Sequence, residues 1–195
     1  MTQVTLEALI AGANSGCLIS FPTDTIPALA ARPDQSHLIF AAKQRSQSKP
    51  LILMAATPDD LWPFAFGSAD ERMAWQQVAK AYWPGALTLV LPASEHVPIM
   101  TPDNSKTIGL RIPGSAIARS ILSQTGPLAT TSANLSGQLP LRTMAEIEAQ
   151  FPDALILATE LAVVEPGAGI PSTVAKWIGC GWEILRQGAV KLEFC

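Results

Sequence analysis

Histidine and cysteine are scarce in this chain, with two histidines and three cysteines in 195 residues. His37 and His96 are too few for a zinc centre or a serine-histidine relay, both of which need imidazole as ligand or base. Surface or capping roles suit them. Cys17, Cys180 and Cys195 show no metal-ligand spacing and are too few for a disulfide framework, so they read as reduced thiols. No stretch approaches the roughly 18 consecutive apolar residues of a membrane span. The amino terminus, with Glu7 and no early lysine or arginine, lacks the charged region of a secretory signal. These absences lead to the expectation of a soluble, cytoplasmic chain without membrane association. An excess of basic charge is missing too. A net charge of −3 and a pI near 5.3 argue against coating nucleic acid by bulk charge, while leaving room for a local basic crevice.

What is present is apolar. Hydrophobic residues make up 48% of the chain, enough for one sizeable core, and 195 residues fit a single domain over 1–195. Leucine, alanine and isoleucine at helical spacing from Thr5 to Ala13 stop at Asn14-Ser15-Gly16, a common carboxyl-terminal stop. A strand is expected over Cys17–Phe21, ended by Pro22 and a polar turn, Pro22-Thr23-Asp24-Thr25. Asp34 can cap a helix running to about Gln44, with Leu38, Ile39 and Ala42 facing the core. Leu51–Ala56 reads as a strand buried on both faces. Thr57-Pro58-Asp59-Asp60 opens a short helix, and a longer one is expected over Ala69–Ala81 before the break at Trp83-Pro84-Gly85. Strands are expected at Ala86–Leu91, Thr107–Ile112, Pro127–Thr130, Ala154–Ala158, Ser172–Ile178 and Trp182–Leu185. Helices are expected at Ser115–Ser123 and from the Thr143 cap to Gln150. Residues 165–171, rich in glycine and proline, read as a mobile loop. This alternation implies an α/β fold, a twisted mixed sheet of parallel and antiparallel strands with flanking helices. Strand order is not legible from it.

The most informative segment is Thr130-Thr131-Ser132-Ala133-Asn134-Leu135-Ser136-Gly137. An apolar run that ends abruptly in small polar groups is how a buried strand opens onto a binding crevice. A plain Ser/Thr/Asn turn is the alternative. Lys43-Gln44-Arg45, followed by Lys49, offers both a guanidinium fork and a mobile ammonium, which suit phosphates for different reasons. Cations at a helix end also favour the helix dipole without any ligand. If strand pairing persists to Ser132, Thr130 and Ser132 point to one side, with Asn134 available as donor and acceptor. Arg111, bracketed with Thr107 about Ile108-Gly109-Leu110, can bind a carboxylate bidentately or form a peripheral salt bridge. Ser172-Thr173 and Arg186 are weak signals taken singly.

Taken in order and spacing, these motifs resemble the YrdC domain family: Lys43-Gln44-Arg45 with Lys49-Pro50-Leu51-Ile52, Trp83-Pro84-Gly85 with Thr88, Arg111, and Ser132–Gly137. Pro22-Thr23-Asp24-Thr25 at the front extends the match, as do Pro171-Ser172-Thr173-Val174 and Leu185-Arg186-Gln187-Gly188 at the back. The ordered set is specific, though no single motif is. The resemblance implies the family's α/β fold in its short stand-alone form. It also implies L-threonylcarbamoyladenylate synthesis, in which L-threonine, bicarbonate and ATP yield threonylcarbamoyl-AMP and pyrophosphate for the threonylcarbamoyladenosine modification of tRNA. A tRNA-modifying transferase would act downstream. Lys43 and Arg45 would be catalytic. Arg45, Lys49, Thr107, Ser132, Asn134 and Arg186 would contact ATP, with Lys43 and Asn134 shaping that pocket. Thr23, Arg111, Thr130 and Ser172 would hold threonine, with Thr25 an alternative to Thr23. Magnesium is expected to accompany ATP, held by phosphate oxygens and water, with no metal site built from the protein.

Two departures from the family pattern stand out. Ile26-Pro27-Ala28-Leu29 replaces the usual aromatic and glycine, and Met54 stands where some members carry a histidine. Two other readings are a non-catalytic module for double-stranded RNA or ribosome maturation, with possible RNA contact, and a carbamoyl-transfer domain like those of hydrogenase-maturation proteins.

Overall fold

The computed structural model describes residues 2–44, 46, 49–97, 106–158 and 169–193. In chain order the first elements are β1 (Gln3–Val4), α1 (Leu6–Asn14), β2 (Ile19–Phe21), β3 (Ala28–Ala31), α2 (His37–Ala42) and β4 (Ile52–Met54). The middle of the chain supplies α3 (Ala69–Tyr82), β5 (Leu87–Pro92), β6 (Thr107–Arg111), α4 (Ala116–Thr125) and β7 (Leu128–Ser132). Then follow α5 (Met144–Gln150), β8 (Leu155–Leu157), β9 (Thr173–Trp177) and β10 (Trp182–Arg186). The strands form one sheet in the order β1-β8-β2-β3-β7-β4-β6-β5-β9-β10. Parallel pairs, such as β4 with β6 and β5 with β9, are mixed with antiparallel ones, such as β3 and β4 with β7. The expected mixed α/β sheet with flanking helices is what forms.

Local chemistry explains the helix ends. Thr5 caps α1 by accepting from the Ala8 N–H, and Gly16, at φ +89°, turns the chain after it. Ser68 with Glu71 and Thr143 with Glu146 form capping boxes at α3 and α5. Asp34 is not the cap expected of it. Pro33–Gln35 forms a separate 3-10 turn, Asp34 pairs with Arg32, and Ser36 precedes α2. Proline at the first position of that turn and the Arg32–Asp34 pair together consume the segment that a longer helix would need.

Two strands were not anticipated. β1 has two residues, too few for any periodicity. β3 is Ala-Leu-Ala-Ala, poor strand formers that reading by propensity passes over. β3 is nevertheless fully buried, because β2 and β7 flank it on both edges.

Successive residues along the central strands enter opposite core layers. Leu29, Leu53 and Ala129 join the cluster packed with α2, α3 and α5 residues such as Ile39, Trp75 and Ile147. Ala28, Met54 and Leu128 join the opposite one, with Leu9 of α1 and Ile121 of α4. This second layer draws strand residues from β2, β3, β4, β7 and β8 and none from β5, β6, β9 or β10. The helical cover on that face therefore ends over the middle of the sheet, and a cavity opens there.

Candidate functional site

A cavity of about 470 Å³ lies on this face. Sheet register brings its floor together. Ala28 opposes Ser132, Thr130 opposes Ile52, Met54 opposes Arg111, Thr88 opposes Val174, and Val174 opposes Arg186. Residues paired across strands share a face, so seven neighbouring strands, from β3 to β10 in the sheet order, contribute to one surface. Strand pairing in β7 does persist to Ser132, which satisfies the condition for Thr130 and Ser132 to face one side. The lining holds the cations Lys49, Arg111 and Arg186. Among its described residues there is no aspartate or glutamate.

Arg111 is 3% exposed. Its Nε donates to the Gly85 carbonyl at 3.1 Å, Nη1 to Thr25 Oγ1 at 3.0 Å and Nη2 to Asp24 Oδ1 at 2.8 Å. Three of its five N–H donors are thus engaged, which fixes the fork and leaves two. Burial pushes the guanidinium below the usual arginine range. Asp24 opposes that shift, while nearby Arg186 adds to it. The salt bridge is therefore internal, in contrast to the peripheral one weighed from sequence.

Arg186, at the sheet edge, donates through Nε and Nη2 to the Ser172 carbonyl at 3.1 and 2.9 Å, and through Nη2 to Ser172 Oγ at 3.2 Å. Desolvation lowers its guanidinium as well. Ser172 Oγ in turn lies 2.9 Å from Thr88 Oγ1. The strap after β10 holds this corner. Thr173 Oγ1 accepts from the Gly188 and Val190 N–H groups and donates to the Val190 carbonyl. A Cβ at Gly188 would strike the carbonyl groups of Pro171 and Ser172.

Of the residues expected at a site, Lys49, Arg111, Thr130, Ser132, Ser172 and Arg186 line the cavity. Others stand behind it. Buried Lys43 donates through Nζ to the Ser132 carbonyl and to Asn134 Oδ1, and Ser132 Oγ donates to the same Asn134 oxygen. Lys43 and Asn134 thus support the strand end from beneath. Thr23 is 2% exposed and bonds within its own loop, to Thr25 and the Ile26 carbonyl. Thr25, the alternative, lines the cavity and meets Arg111. Thr107 starts β6 opposite Pro92 and lies outside the lining. Arg45 lies outside the described residues, as do residues 165–168 of the glycine-rich loop. Gly169, from that loop, donates to the Thr25 carbonyl at 3.1 Å.

Sequence reasoning assigned no role to Asp24 or Gly85, and placed Thr88 in a motif without a role. Their partners lie 87, 26 and 84 residues away, so only the Asp24 charge could have signalled anything. The divergent Ile26-Pro27-Ala28 forms part of the wall, with Pro50, Pro140 and Pro171. Met54 is on the floor.

An open α/β sheet whose uncovered half carries a cationic basin defines a small-molecule-binding domain suited to anions. The family model for Sua5, YciO and YrdC proteins, described as "Telomere recombination", matches residues 13–188, and the chain belongs to that family. A threonylcarbamoyl-AMP synthase of Idiomarina loihiensis is 34% identical over 158 residues, covering 77% of this chain and 82% of that protein. One from Vibrio campbellii is 32% identical over 188 residues, covering 93% and 98%. Among solved structures, Pyrococcus abyssi Sua5 complexed with L-threonine matches with a TM-score of 0.82 and 29% identity over 94% of this chain. This chain spans 54% of that protein's length. Among the described residues no helix is long and apolar enough to cross a membrane.

Proposed function

We propose that this chain is an L-threonylcarbamoyladenylate synthase, joining L-threonine, bicarbonate and ATP. The observation that carries the reading is the pairing, in one basin, of a buried arginine fork at Arg111 with a phosphate-suited rim of Lys49, Ser132 and Arg186. The names of the two relatives and the threonine bound to Sua5 support it.

In this reading the two remaining Arg111 donors take the threonine carboxylate, beside Thr25, Thr130 and Ser172. The threonine amine attacks the bicarbonate carbon, a C–N bond forms and water leaves. One oxygen of the resulting carbamate then attacks the α-phosphorus of ATP. A P–O bond forms as the bond to the β-phosphate oxygen breaks, releasing pyrophosphate. The carbamate is itself the nucleophile. The protein's task is therefore to position two anions and spread their charge, which needs no histidine or cysteine.

Lys49, Ser132 and Arg186 hold phosphate oxygens, with Lys43 and Asn134 fixing Ser132. Arg45 and Thr107 are proposed as further ATP contacts. Among the described residues no group of three acidic, histidine or cysteine side chains gathers for a metal. Magnesium fits the basin as a counter-ion brought by the triphosphate, supplying charge neutralisation there. The adenylate would pass to a tRNA-modifying transferase. Incubation with the three substrates, followed by mass spectrometry for threonylcarbamoyl-AMP, tests the reading. RNA binding that weakens with salt, without that product, would favour a non-catalytic RNA module instead.

A further inference from the structure

The two arginines of the basin differ in one respect that residue type alone does not reveal. Arg111 carries a carboxylate partner, Asp24 Oδ1 at 2.8 Å, whereas the hydrogen bonds of Arg186 among the described residues go to neutral oxygens of Ser172. Asp24 keeps 18% of its side chain exposed and bonds one edge of the Arg111 fork. Gly114 packs directly on it. A Cβ at that position would come within 3.1 Å of Asp24 Oδ2 and 3.2 Å of its Cγ.

The geometry points to Asp24 as the residue that sorts the two anionic substrates: it compensates Arg111, so that this fork favours an amino-acid carboxylate over phosphate, and leaves Arg186 to the phosphates. This rests on the reading of Arg111 as the threonine site. The physical basis is a difference of affinities. A polyphosphate carries several charges and gains most where positive charge is uncompensated. Beside Asp24 a polyphosphate meets repulsion that grows with its own charge. A zwitterionic amino acid carries one carboxylate and one ammonium, so the same repulsion costs it far less. Asp24 thus acts through Arg111, as a specificity and positioning residue.

Two variants separate charge from position. Asp24→Asn removes the charge and keeps the size. Gly114→Ala keeps the charge and presses on the carboxylate. L-Threonine affinity is measured by titration calorimetry with and without inorganic pyrophosphate. In the unaltered chain pyrophosphate should change threonine affinity by no more than about twofold, because it prefers the Arg186 side. In Asp24→Asn it should compete, weakening threonine binding at least about tenfold. Gly114→Ala should bind threonine several-fold more weakly, yet stay insensitive to pyrophosphate. Pyrophosphate behaviour in Asp24→Asn like that of the unaltered chain overturns the inference, as does equal competition in Gly114→Ala. If Asp24→Asn does not fold, Gly114→Ala carries the test, and unchanged threonine affinity there overturns it. Failure of the unaltered chain to bind threonine defeats the underlying reading, and is distinct from either result.

Discussion

At Arg111, burial, an ion pair and two neutral hydrogen bonds converge on a single guanidinium. Replacing it with alanine removes the fork and leaves Asp24 without its counter-charge. Loss of charge-assisted bonds to a carboxylate costs about 1.5–3 kcal/mol, a ten- to hundredfold rise in the threonine KM. The ATP KM should change far less, because the phosphates are assigned to Lys49, Ser132 and Arg186. Initial rates of pyrophosphate release with each substrate varied in turn check this, and equal effects on both constants would contradict the assignment. Stability should fall by about 2 kcal/mol, below the range for a fully buried pair because Asp24 remains partly hydrated. The residues that make this site differ in how visible they are in the sequence. Lys49, Arg111 and Ser132 can be read from charge and motif order. Asp24 and Gly85 acquire meaning only when the fold brings them to Arg111.

Among the elements, α3 and α5 are held at their amino ends by Glu71 and Glu146, whose carboxylates accept backbone N–H bonds that pull them below the ordinary glutamate value of 4.5. Glu148, bonded by the Thr2 N–H, is lowered in the same way. Because the folded values lie below the unfolded ones, this stabilisation is complete above the ordinary range and disappears as pH falls through the lowered values. Thermal unfolding should therefore show Glu71→Gln less stable than the parent at neutral pH, with the difference shrinking as pH falls through the lowered Glu71 value. A constant difference across pH would contradict the capping role. At the other end of the chain, Gly188→Ala should lower Tm by several degrees, about 1–3 kcal/mol of overpacking. It should also raise the ATP KM, since Arg186 and Ser172 move with the strap. The helices and the Thr143 cap were legible, since threonine followed by glutamate three residues later is a local signal. The Ser68 cap carried no assignment, and Asp34 pairs with Arg32 instead of capping α2. β3 was not legible, because its strand state comes from the two neighbours that bury it.

Across the whole molecule, the site exists because one helical layer stops halfway over a mixed sheet. α1 and α4 cover the half built on β2, β3, β7 and β8, and the uncovered half presents Arg111, Thr88 and Arg186. The strand count was largely readable from apolar runs. The strand order was not, since it depends on pairings such as β5 with β9 between residues more than 80 apart. That order places the front motif, the Ser132 strand end and the back motif around one basin. A basin so built should join its three proposed substrates. The direct test is mass spectrometry of the purified chain incubated with L-threonine, bicarbonate, ATP and magnesium. Threonylcarbamoyl-AMP should appear together with pyrophosphate, and omitting any one of threonine, bicarbonate or ATP should abolish it. Absence of that adenylate from a folded chain supplied with all of them would contradict the account.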